Sequence, residues 1–209
     1  MQALRLDDAR SWVARFIERI EERHQELTDL DRRAGDGDYG TNVRSALRRA
    51  QRTLENAHPD TVAEVFAAVS DGFLRTGGTS GPLFGMWFRE FARAAPDGLT
   101  AARLALAAGN ALAAVQRLGH AEPGHKTMVD AMAPAAAALA AAAADDEDVL
   151  RALARAASAA RAGAESTAQL TARRGRASYV GDHAVGVIDP GALTVAVFFE
   201  SALSPASAA

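Results

Sequence analysis

The chain has 209 residues, 23 basic and 26 acidic side chains, a formal charge of -3 and no cysteine. A slightly acidic protein with 6% aromatic residues is excluded as a sequence-independent nucleic-acid binder, which needs a basic face, and the missing thiols exclude disulfides, thiolate metal sites and a cysteine nucleophile. Alanine supplies 51 residues, and 22 of the 23 basic residues are arginine, which leaves Lys126 as the single lysine.

The opening MQALRLDDARSW lacks the basic-then-apolar pattern of a secretory leader, and its Asp7 begins the first predicted helix, roughly Asp7 to Leu27. Trp12, Val13, Phe16, Ile17 and Ile20 form its apolar stripe at i, i+3/i+4 spacing. A second helix is predicted over Asn42 to Glu55, with Val43, Ala46, Leu47, Ala50 and Leu54 on one face, and a third over Thr61 to Phe73. The fourth starts at Ser80-Gly81-Pro82 and ends before Pro96; the fifth runs from Thr100 to Leu118. The sixth opens near Lys126 and carries Pro134, which removes a backbone hydrogen bond and predicts a kink. Its run Ala131 to Ala144 is shorter than the ~20 residues that span a bilayer, so no membrane partner is expected and the location is expected to be cytoplasmic. The seventh starts at the acidic cluster Asp145 to Asp148, which suits the positive end of a helix dipole. The eighth has a good helix start at Asp189-Pro190, while Leu193 to Phe199 is β-branched, with a lone strand as the alternative. Residues 1–200 are expected to form one all-α domain, an eight-helix antiparallel up-and-down barrel, followed by a frayed tail over 201–209.

The connections sort into two kinds. Those after the even helices are plain, whereas those after the odd helices are rich in Gly, Asp, Ser and Thr: Asp31 to Asn42, Thr76 to Gly81, Gly119 to Met128, and Arg173 to Gly191. Chain neighbours joined by short connections lie antiparallel, so all four rich loops meet at one rim, and the functional site is expected there.

The first loop, GDGDYG, matches G-x-G-x-x-G through Gly35, Gly37 and Gly40, but a helix precedes it where a dinucleotide site needs a strand. An EF-hand fails too, since counting from Asp36 places Leu47 where a bidentate Glu is required. There remain three closely spaced carboxylates, Asp31, Asp36 and Asp38, with no His or Cys nearby. Such hard oxygen donors favour Mg²⁺ or Mn²⁺ over Zn²⁺; the competing reading is a solvated Asp-Gly turn with Asn42 as an N-cap. Thr79 and Ser80 stand before a helix whose N–H groups suit a phosphate, or form an ordinary cap. No P-loop lysine motif is present. Thr127 and Asp130 match a capping box. Lys126 lies in a rim loop, where an ammonium is a compact point charge that the planar guanidinium does not replace. Arg173, Arg174 and Arg176 form a basic cluster that either pairs with phosphate or is solvated. His120, His125 and His183 match no zinc or triad spacing.

Four segments in order carry a resemblance: Leu30-Asp31 with Gly35-Asp-Gly-Asp38; Gly78-Thr-Ser-Gly-Pro-Leu-Phe-Gly85; Ala121-Glu-Pro-Gly-His-Lys-Thr-Met128; and Gly175-Arg-Ala-Ser-Tyr179 with Asp189-Pro-Gly-Ala192. Over essentially its whole length the chain resembles the nucleotide-binding L subunit of the dihydroxyacetone kinases. The resemblance implies ADP or ATP with two Mg²⁺ ions at one rim of a helical barrel. It implies that Asp31, Asp36 and Asp38 hold the metal, that Tyr39, Gly40, Thr41, Asn42, Thr79 and Ser80 line the phosphates, and that Gly119 and Met128 lie by the adenine. Arg176, Asp189, Pro190 and Gly191 would complete the nucleotide contacts.

The same resemblance implies phosphoryl transfer without a covalent intermediate on this chain, to a ketose held by a separate K subunit. The donor would be a phosphohistidine of a phosphotransferase-system M subunit, recharging a resident ADP, or free ATP. Two departures stand out: Tyr39 replaces the family's usual His, and His125 replaces its usual Asp. Tyr39 is expected to offer a backbone N–H and a phenol. A kinase subunit for another ketose such as erythrulose, and a non-catalytic Mg-nucleotide-binding module, are the alternatives; homo-oligomerisation stays open.

Overall fold

A computed structural model describes residues 3–179 and 184–203, with the side chains of Arg176 and Tyr179 outside that description. Among the described residues eight α-helices follow one another: α1 (Leu6–Ala34), α2 (Tyr39–Ala57), α3 (Val62–Leu74), α4 (Ser80–Ala94), α5 (Ala101–Gly119), α6 (Val129–Ala144), α7 (Val149–Ser166) and α8 (Pro190–Ser201). Two short 3-10 turns, Thr167–Gln169 and Arg176–Tyr179, lie between α7 and α8. Each helix packs on the next, and α8 packs back on α1, so the series closes into the expected ring.

The core divides by side-chain size. On one side the rings of Trp12, Phe16, Phe66, Trp87, Phe88, Phe91 and Phe199 surround Phe198, with Trp12 and Phe198 stacked at 4.5 Å. On the other, α5, α6 and α7 face one another through buried alanines such as Ala111, Ala135 and Ala156, which let the helices approach closely. The alanine excess is thus packing material.

The segment with a strand as its alternative is helical, as the eight-helix reading expects. Every residue from Pro190 to Phe199 is buried, so α8 is apolar all round and shows no helical stripe. Asp189 starts it by accepting from the Ala192 N–H at 2.7 Å. Its end is anchored as well: Ser201 is buried, and Arg15 Nε donates to the Ser201 carbonyl at 2.8 Å. The tail expected from residue 201 is therefore packed through Leu203, and residues 204–209 lie outside the described residues.

Two boundaries move in ways that matter for the site. Helix α1 continues to Ala34, well past Leu27, so Asp31 sits on its last turn and not in a loop. Helix α2 begins at Tyr39, which leaves only residues 35–38 as the link. The two rims also differ at their helix starts. At the far rim α3, α5 and α7 are capped by Thr61, Thr100 and Asp148. At the near rim α8 is capped by Asp189, but the N-cap residues of α2, α4 and α6, namely Asp38, Thr79 and Met128, make no side-chain cap bond. The first N–H of α2 goes to Asp31 and that of α6 to Thr127 Oγ1, so the start of α4 is the one best suited to an anion.

Candidate nucleotide and metal site

The four rich loops do converge on one cleft. Its acidic wall begins with Asp31, which is buried and accepts the Tyr39 backbone N–H at 3.0 Å. Gly35 makes room for this carboxylate: a Cβ there would lie 2.4 Å from Asp31 Oδ1. Asp36 and Asp38 are exposed in the short link, and one oxygen from each of the three aspartates falls within 4.8 Å of the others. Asp38 holds the N-cap position of α2, where an aspartate ordinarily accepts from the first turn, yet it makes no such bond. Three carboxylates gathered at this cost, with no imidazole or thiol among them, fit a hard divalent cation such as Mg²⁺.

Opposite stands the start of α4. Gly78 has φ +85°, a left-handed conformation that turns the chain into Thr79 and Ser80, both of which line the cleft. The apolar lining comes from Leu83, Phe84, Val115, Met128 and Val129, joined by Gly119 and Pro190. Asp189 and Gly191 close the remaining side; a Cβ on Gly191 would lie 3.3 Å from Met128 Cβ. Burial, reinforced by Asp130, pushes the Asp189 carboxyl up to about 7 against the Ala192 N–H and Lys126, which pull it down.

Several residues stand differently from expectation. Gly40, Thr41 and Asn42 form the first turn of α2 and do not line the cleft. Gly40 is needed for helix packing, because a Cβ would meet Thr28 Oγ1 at 2.2 Å and the His24 carbonyl at 2.4 Å. Asn42 reaches the Gly78 turn, whose added Cβ would be 3.1 Å from Asn42 Nδ2. Tyr39 lines the cleft, but both groups it was expected to offer are engaged. Its N–H goes to Asp31, and its buried hydroxyl donates to Thr194 Oγ1 at 2.8 Å. The nucleotide contact expected of Arg176 rests on a side chain outside the described part, and His183 lies outside the described residues; Arg174 and Gly175 line the cleft.

The Thr127–Asp130 box forms in only one direction. Asp130 accepts the backbone N–H groups of Thr127 at 2.8 Å and Gly124 at 2.5 Å, whereas Thr127 Oγ1 takes the Val129 N–H. His125 turns back on its own loop, its Nδ1 3.1 Å from the Glu122 nitrogen. Lys126 is not a surface ammonium but is 1% exposed. Sequence reasoning passed over Thr167 and Thr194, single hydroxyls in apolar stretches that mark themselves only through their partners.

The sequence profile of the DAK2 domain matches residues 33–204. The chain is 32% identical over 201 residues to the ADP-binding subunit DhaL of the PTS-dependent dihydroxyacetone kinase of Lactococcus lactis, covering 96% of this chain and 97% of that one. It is 34% identical over 188 residues to the ADP-binding subunit DhaL of the PEP-dependent dihydroxyacetone kinase of Escherichia coli, covering 88% and 90%. The crystal structure of the C. freundii dihydroxyacetone kinase in complex with AMP-PNP and Mg²⁺ superposes with a TM-score of 0.72 at 26% identity, over 96% of this chain and 34% of that one. The present chain thus spans about a third of the larger enzyme.

Proposed function

The chain belongs to the DAK2-domain family, and from that premise we propose that it is the nucleotide-binding subunit of a dihydroxyacetone kinase, passing a phosphoryl group through Mg-ADP/ATP to dihydroxyacetone held on a separate K subunit. The observation that carries this reading is the placing of three carboxylates, within 4.8 Å of one another, in one cleft with the uncapped start of α4.

Asp31, Asp36 and Asp38 would hold magnesium, two ions in the form the resemblance implies, which would supply charge neutralisation for the phosphoryl group. Thr79, Ser80 and the α4 backbone face the phosphates from the other side. Met128, Gly119 and Pro190, which line the apolar part of the cleft, would bed the base. The residues of this chain thus position and neutralise. Tyr39 supplies no acid or base: burial raises its hydroxyl well above the ordinary phenol range, and its proton is engaged by Thr194. The donor we favour is a phosphohistidine on a phosphotransferase-system M subunit, because the relatives matched nearly end to end are ADP-binding subunits of PTS- and PEP-dependent kinases.

Titration calorimetry tests the reading. ADP is expected to bind with Mg²⁺ and at least tenfold more weakly without it. Asp38→Asn is expected to lose that difference while the metal-free protein melts no lower, since Asp38 caps nothing. A folded wild-type protein giving no heat with ADP and Mg²⁺ would end the proposal. Turnover with a K subunit, dihydroxyacetone and either donor then separates the two donors.

A further inference from the structure

The single lysine is buried at a junction of three rim segments. Its Nζ donates at 2.5 Å to the carbonyl of Thr167, just after α7, and at 2.5 Å to that of Val187, just before α8. Its own loop is fixed from below by Asp130, and the adjacent His125 carbonyl accepts the Arg173 N–H at 3.1 Å. Thr167 extends the junction, because its Oγ1 accepts the Asp189 N–H at 2.8 Å. Lys126 also has φ +60°, a left-handed conformation costly for a side-chain-bearing residue and kept only where the surroundings impose it. A buried ammonium held by two neutral carbonyls is expensive; Asp130 and Asp189 are the charges that favour it against burial.

We propose that Lys126 is a positioning residue for the nucleotide base: by holding the Thr167 and Val187 carbonyls, it seats Asp189 to Gly191 against Met128 and so sets the apolar part of the cleft. The inference rests on the nucleotide-binding reading above. An ammonium with three rotatable donors suits two converging carbonyls, whereas a guanidinium is larger, planar and carries five N–H groups to satisfy. That difference explains how one lysine persists in a chain that otherwise uses arginine. Asp31, Asp38, Thr79 and Ser80 make none of the hydrogen bonds of this junction, so its effect is expected on the base side of the cleft more than on the phosphate side.

The test compares ADP with inorganic pyrophosphate, both with Mg²⁺, by calorimetry on wild type, Lys126→Met, Lys126→Arg and Lys126→Cys. The chain has no other cysteine, so aminoethylating the Lys126→Cys protein while unfolded and then refolding it restores an ammonium at that one position. ADP affinity is expected to fall at least tenfold in Lys126→Met and Lys126→Arg and to return within threefold on aminoethylation, with pyrophosphate affinity unchanged within twofold throughout. Unchanged ADP affinity in Lys126→Met overturns the proposal. An equal loss of ADP and pyrophosphate does so too, since it marks direct phosphate contact or general collapse. If the variants do not fold, the single lysine ammonium signal of ¹⁵N-labelled wild type replaces them: it is expected to shift with Mg-ADP and not with Mg-pyrophosphate, and a signal unmoved by Mg-ADP overturns the proposal. Wild type failing to bind ADP at all refutes the nucleotide reading instead.

Discussion

Replacing Asp189 by asparagine should stabilise the ligand-free protein above neutral pH and leave it unchanged in acid. The Asp189 carboxyl is raised from its ordinary 3.8 to about 7, first by burial and then by Asp130. The folded state therefore holds this proton more tightly than the unfolded chain. Its contribution to stability is fully present below about pH 4 and is lost as pH rises to about 7; above that, folding must keep an unfavourable buried charge. The interval between the two values corresponds to ~4 kcal/mol at 1.36 kcal/mol per pH unit, and the partial exposure of Asp189 to the cleft cuts this to roughly 2 kcal/mol. For a chain of this size that is a rise of about 4–8 °C in melting temperature at pH 8. Asparagine can still accept the Ala192 N–H through its amide oxygen, so the α8 cap is retained. Thermal unfolding of both proteins between pH 4 and pH 8.5 reads the effect: the melting temperatures should coincide near pH 4 and separate through pH 5–7. A constant gap across that range, or a wild type more stable than the variant at pH 8, would refute the argument.

Two further expectations probe the acidic wall and the core. Gly35→Ala brings a Cβ to 2.4 Å from Asp31 Oδ1, so the carboxylate must swing away from Tyr39 N–H and its two acidic neighbours. Magnesium-dependent ADP affinity should drop tenfold or more for a loss of only a few degrees in melting temperature, and unaltered affinity would remove Asp31 from the metal site. Phe198→Ala empties the centre of the aromatic cluster and should cost ~3–5 kcal/mol in urea unfolding; a loss below about 1 kcal/mol would mean that the cluster does not dominate the core.

How far the sequence could be read follows from the range of the forces involved. Helices with one apolar stripe, such as α1 with Trp12, Phe16 and Ile20, declare themselves because burial repeats at the helical period. Helix α8 did not, because a helix buried on every side has no stripe, and only its Asp-Pro start marked it. Sorting the loops by parity was enough to bring Asp31, Asp38, Thr79, Met128 and Asp189 to one rim, since alternation of direction follows from short connections alone. Burial and hydrogen-bond assignment were out of reach, being set by whatever long-range partner arrives. Nothing local says that the Tyr39 hydroxyl will meet Thr194, which is 155 residues away.

Lys126 makes the same point with more consequence. Composition singled it out, and its loop placed it on the rim as a compact point charge that a guanidinium does not replace. The structure turns the same ammonium inward, to carbonyls 41 and 61 residues further along the chain. In the proposed function phosphate charge would be met elsewhere, by magnesium on the three aspartates and by the uncapped start of α4. The proposed function would reconcile a chain of net charge -3 with an anionic ligand in this way: cation and backbone dipoles would supply the positive field at the rim, and the one lysine would hold the wall proposed for the base.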